Sequence, residues 1–113
     1  MSKRGVELYV KDINDAIRKI NKYTRGLSYV EFARNGQLID AVVRNLSIIG
    51  EAVIYIPKEI KLKNTEVSWQ EIVGMRNKVI HEYFGVDKSI LWETIKKDLP
   101  EFKKQIKKMA DKF

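Results

Sequence analysis

At 113 residues the chain is one domain, 1–113, long enough for a core and too short for two. With 44% hydrophobic and 33% charged residues it has the composition of a globular protein rather than a disordered one. It has no cysteine and one histidine, which excludes disulfides, thiol nucleophiles and a multi-histidine metal centre within one chain, so no metal or cofactor is expected. The formal charge of +7 serves either solubility or attraction to RNA, DNA or an acidic protein. The start, MSKRG, leads into a polar amphipathic stretch, and the longest apolar run is AVIYI. A cleaved signal and a membrane span are therefore not expected, and the chain reads as cytoplasmic.

Residues 4–23 predict a first helix, because Val6, Tyr9, Val10, Ile13, Ala16, Ile17, Ile20 and Tyr23 recur at helical spacing. Ser28 and Glu31 form a capping-box pattern for a short helix that Asn35 and Gly36 close. Residues 37–56 predict a central helix about 30 Å long. It is apolar over most of its circumference, and so is covered by neighbours on several sides. Its polar residues Asp40, Arg44, Ser47 and Glu51 step by four, three and four, which lines them up as one stripe. That stripe is either the solvent-facing or ion-paired edge of a buried helix, or the wall of a polar cleft. Gly50 and Ala52 allow close helix approach, and Pro57 ends the helix.

The segment 57–67 is a polar connector with about one helical turn. Ser68 and Glu71 form a second capping-box pattern, which opens a helix over Trp69–Gly85, WQEIVGMRNKVIHEYFG. Asp87 caps the next helix, and Pro100 fits the first turn of a last helix whose Leu99, Phe102, Ile106, Met109 and Phe113 stripe is core or a dimer seam. From Lys96 to the end there are seven lysines against Asp98, Glu101 and Asp111. Sustained period-two alternation, a glycine-rich phosphate loop and an internal repeat are all missing. The expected fold is all-α, an up-and-down bundle of five to six helices.

The Trp69–Gly85 stretch holds the candidate chemistry. On one helix, Trp69, Ile72, Val73, Val79 and Ile80 form an apolar stripe that includes Arg76 and Tyr83. An unpaired guanidinium is costly to bury, so either it pairs with a carboxylate such as Glu51 or it serves a function. Asn77 and His81 are i,i+4 neighbours, and Gly74, costly by about 1 kcal/mol mid-helix, hints at close packing beside them. RNA cleavage without metal needs a near-neutral acid/base group and a fixed cation for charge growing on phosphorus. Histidine and arginine suit those roles. Five residues of helix separate Arg76 from His81 by about 140°, so one copy makes a poor site and a two-fold dimer a better one.

Arg76-Asn-Lys-Val-Ile-His81-Glu-Tyr83 resembles the R-x4-H-x-Y signature of HepT, the toxin of the MNT/HEPN toxin–antitoxin systems. The resemblance includes Ile49-Gly-Glu-Ala52, Trp69, Gly74-Met75, Val86-Asp87 and Trp92, and so covers about residues 6–106. It implies a HEPN-like helical homodimer acting as a metal-independent ribonuclease toxin of a type VII-like system. It implies His81 as acid/base group, Arg76 as charge stabiliser and Asn77 as orienting residue. Tyr83 corresponds to the tyrosine that a cognate nucleotidyltransferase antitoxin modifies with AMP; adenylate beside Arg76 would block the cleft. The other reading is a non-catalytic nucleotide-binding or docking subunit for such a nucleotidyltransferase.

Overall fold

The computed structural model describes residues 3–81 and 85–112. In chain order they form α1 (Lys3–Thr24), α2 (Tyr29–Ala33), α3 (Gly36–Tyr55), α4 (Lys58–Lys63) and α5 (Trp69–Val79). A two-stranded antiparallel ribbon follows, β1 (Ile80–His81) and β2 (Gly85–Val86), then α6 (Lys88–Glu93). A π-helical segment, Thr94–Asp98, joins α6 without a break to α7 (Leu99–Ala110). The fold is the expected all-α bundle, with that ribbon as its one departure among the described residues.

The central position of α3 follows from its composition. Ile39, Val42, Leu46, Ile49, Ala52 and Val53 are buried, and the helix packs on α1 and α5. Tyr9 near the start of α1 stacks on Tyr55 at the end of α3, with ring centroids 5.9 Å apart, so the two helices run antiparallel. A Cβ on Gly50 would lie 4.0 Å from the Val73 carbonyl of α5, an ordinary contact, so α3 and α5 approach closely there. Leu99, Phe102, Ile106 and Met109 of the expected stripe are buried, α7 packs against α1, and Phe113 lies outside the described residues.

Several boundaries differ from the sequence expectation. Asn35 does not close α2; its side-chain oxygen accepts from the Leu38 N–H at 3.0 Å and opens α3. The first capping box does form: Glu31 N–H donates to Ser28 Oγ at 3.2 Å, and Ser28 N–H donates to Glu31 Oε1 at 3.0 Å. These donors hold the Glu31 carboxyl below the usual carboxylate range. Pro100 does stand in the first turn of α7, as expected, but the chain enters that helix from α6 without a break. A proline has no N–H for the carbonyl four residues back and crowds it. The π-helical segment directly before α7 lets the helix pass through that position with one wider turn.

Thr94, first residue of the π-helical segment, carries a buried hydroxyl with no partner among the described residues. Leaving such a group unpaired costs about 1–3 kcal/mol. Thr94→Val is therefore expected to raise stability by about 1 kcal/mol, read from the urea midpoint at unchanged slope.

Candidate functional site

The motif helix α5 is shorter than its sequence pattern suggests. Ile72, Met75 and Val79 are buried, and the Trp69 indole N–H donates to the Asn64 carbonyl at 3.0 Å. The Ser68–Glu71 capping box does not form, and Ser68 makes no side-chain cap bond to α5. Instead Ser68 N–H donates to Gln105 Oε1 at 2.9 Å, and Gln105 Nε2 donates to Ser68 Oγ at 3.2 Å. The last helix thus holds the start of the motif helix across 37 residues of sequence. Gln105→Ala is expected to cost about 1 kcal/mol, with amide exchange rising first in the opening turn of α5.

The helix ends at Val79, not at Gly85. Ile80 turns extended, at φ −105° and ψ 123°, and still closes the helix by donating its N–H to the Arg76 carbonyl. The β-branched pair Val79-Ile80 favours this exit. Ile80 then pairs with Val86, and His81 with Gly85, whose φ of +74° is a conformation glycine adopts readily. The Asp87 N–H donates to the Val79 carbonyl at 2.6 Å, which brings Asp87 to cap α6 by accepting from the Ile90 N–H. Helical geometry therefore does not relate Arg76 to His81: the histidine stands beyond the helix, on the first strand of the ribbon. Tyr83 lies outside the described residues.

Arg76 and Asn77 occupy adjacent exposed positions in the last turn of α5. Arg76 sits in the apolar stripe by sequence, yet the short helix leaves it at the edge, between buried Ile72 and Val79 and open solvent. Among the described residues no carboxylate reaches ion-pair distance of its guanidinium, so the alternative pairing with Glu51 is not made. Asp40, Arg44 and Glu51 are exposed along α3, while Ser47 is half-buried and donates to the Val43 carbonyl at 3.1 Å. The stripe is thus present, but it makes no ion pair among the described residues.

Two clefts flank α5. One, of about 670 Å³, lies between α5 and the last helix, walled by Glu71, Gly74, Lys78, Lys97, Glu101 and Gln105 over a floor of Ile72, Met75 and Phe102. A Cβ on Gly74 would meet nothing within 4 Å, so the close packing expected at that glycine is not found; it faces this open cleft. The other, of about 650 Å³, lies between α4 and α5, with Lys58, Lys61, Leu62 and Trp69 among its walls. Partial burial there pulls the Lys61 amine below its ordinary pKa. Neither cleft is lined by Arg76, Asn77, Asp40, Arg44 or Glu51. Arg76 and Asn77 therefore present their polar groups on the outside of the single chain, where a second surface could close over them.

Sequence patterns gave no sign of Gln105 as a cap, since a helix-to-helix bond depends on tertiary placement. Its one signal is position: a polar residue beside the buried stripe of α7.

Comparison with known proteins adds the family. A family described as "Ribonuclease HepT-like" matches residues 13–109. A protein of Caldanaerobacter subterraneus subsp. tengcongensis named "Putative RNase" is 45% identical over 92% of this chain and 93% of its own. A protein of Thermococcus cleftensis named "Probable ribonuclease HepT" is 41% identical over 95% of this chain and 97% of its own. No solved structure matches the chain.

Proposed function

Since the chain belongs to the HepT-like ribonuclease family, we propose that it is a metal-independent endoribonuclease toxin whose site is completed by a second copy of itself. The observation that carries this reading is the placement of Arg76 and Asn77. A cation next to a polar amide stands exposed at the end of α5, outside either flanking cleft and with no carboxylate partner among the described residues. Within one chain that arrangement encloses no substrate. Two copies meeting across a two-fold axis would enclose one, with both arginines free to face a phosphate.

In this reading RNA enters between the two protomers. His81 takes the 2′-hydroxyl proton, the oxygen attacks the adjacent phosphorus, and a proton is supplied to the departing 5′-oxygen. Arg76 offsets the negative charge that grows on the phosphoryl oxygens, and Asn77 orients either the imidazole or the RNA. The ribbon gives the histidine a fixed backbone: Ile80 pairs with Val86 one residue before His81 pairs with Gly85. A nucleotidyltransferase antitoxin would silence the site by transferring AMP to Tyr83, placing a phosphodiester anion next to the motif.

The experiment has two parts. Light scattering should give twice the 13.2 kDa chain mass. After co-expression with a nucleotidyltransferase encoded beside the gene, intact mass should rise in AMP increments that vanish in Tyr83→Phe. A monomer at working concentration would remove the composite site. An unmodified wild-type chain in a stable complex would favour the docking-subunit reading for the partner.

A further inference from the structure

The solvent face of α7 carries four lysines, Lys103, Lys104, Lys107 and Lys108, all exposed. On a helix they fall within an arc of about 140°, centred opposite the buried Leu99, Phe102, Ile106 and Met109 stripe. They form two rows, Lys103 with Lys107 and Lys104 with Lys108, each stepping by one helical turn of about 6 Å. That step is comparable to the distance between successive phosphates of an extended nucleic-acid strand.

The charges on this face are only partly offset within the chain: exposed Asp111 lies on the same face, four residues after Lys107, and Lys108 stands near enough to Glu66 to help hold its carboxyl below its ordinary pKa. On α1, Lys11 and Arg18 both pair with Asp15, at 2.7 and 2.9 Å, and before α7 Lys97 of the π-helical segment pairs with Glu93 of α6 at 3.3 Å. Among the described residues, none of the four lysines on α7 makes an ion pair. Like charges at i,i+4 oppose helix formation, so both rows weaken the helix they stand on. Lys107 and Lys108 complement the partial negative charge at the C-terminal end of α7, but Lys103 and Lys104 stand a turn earlier and gain little from it. The Lys104–Lys108 row also runs beside Glu101 and Gln105, the α7 wall of the cleft whose α5 wall bears Lys78, two residues after Arg76. Glu71, Asp98 and Glu101 make that cleft mixed in charge, while the ladder face carries four lysines against Asp111 and so keeps a net positive charge.

We propose that the α7 lysine ladder is a binding track for the phosphate backbone of single-stranded RNA, separate from the Arg76–His81 motif. This rests on RNA being the substrate. The track would hold strand outside the cleaved position without reading bases, so it contributes affinity and salt dependence rather than sequence choice.

The test measures binding of a fluorescein-labelled oligouridylate across a salt series, in a His81→Ala background that leaves the strand intact. Replacing Lys103, Lys104, Lys107 and Lys108 together by glutamine should weaken binding and flatten the log–log salt slope by about 2 to 3, at about 0.7 per lost phosphate contact. The melting temperature should change little, because losing the like-charge pairs offsets losing the two cations in the last turn of α7. The control removes the same formal charge from α1, through Lys11, Arg18, Lys19 and Lys22 to glutamine, and should change the slope much less. An equal change in both variants would reduce the ladder to net charge and overturn the proposal. An unchanged slope in the α7 variant, with RNA still bound, would also overturn it and point to an acidic protein as the occupant, leaving RNA as substrate intact. If the background protein binds no RNA at all, the substrate reading falls and the ladder falls with it.

Discussion

His81→Ala is expected to lower the rate of RNA cleavage by about 10²- to 10⁴-fold, the range that one positioned proton-transfer group supplies. Arg76→Ala is expected to cost about 10²- to 10³-fold, the loss seen when one fixed donor to a developing oxyanion is removed. The two effects should not add, because a cation stabilises only the charge that proton removal allows to form. Arg76 is exposed at the end of α5 and does not support the core, and the backbone of His81 is held by its pairing with Gly85. Arg76→Ala should therefore melt within about 0.5 kcal/mol of the parent chain, as exposed positions do. Single-turnover cleavage of a labelled RNA, with denaturation curves beside it, reads both quantities. A variant that loses activity only by unfolding would not support a chemical role.

Ile72→Ala should be among the most damaging single changes to the fold, at about 2–5 kcal/mol. Ile72 is buried on the face of α5 that joins the core, in the helix that α3 approaches at Gly50. Loss of its side chain leaves a void that two helices fixed elsewhere cannot collapse. Against a total of about 5–15 kcal/mol for a domain, such a loss is a large fraction of stability. Ile54→Ser, at a site 58% exposed, should change stability by less than about 0.5 kcal/mol. Urea midpoints at constant slope give the comparison, and equal losses at the two sites would contradict the assignment of the core.

The long elements were legible because their apolar periodicity is strong. The spans of α1 and α3 lie within a residue of those expected, since Ile13, Ile17, Ile20, Leu46 and Ile49 mark their inner faces plainly. The motif region was misread at one point. Periodicity alone continues a helix through Ile80 because an isoleucine suits either a helix face or a strand. The pairing of Ile80 with Val86 and the positive φ of Gly85 decide for the strand, and both depend on the chain reversing. Local patterns identify the caps at Ser28 with Glu31 and at Asp87, but the same pattern at Ser68 and Glu71 yields to a distant partner, Gln105. The same limit applies to the site. Residue types and order could nominate Arg76, Asn77 and His81, but their mutual geometry depends on how α5 ends.

The reading of this chain as a metal-independent ribonuclease is tested most directly by incubating the purified protein with RNA in excess EDTA. The account predicts that the parent chain degrades the RNA at the same rate with and without chelator, and that His81→Ala leaves it whole. Intact RNA in the presence of a folded dimer of the parent chain would contradict it.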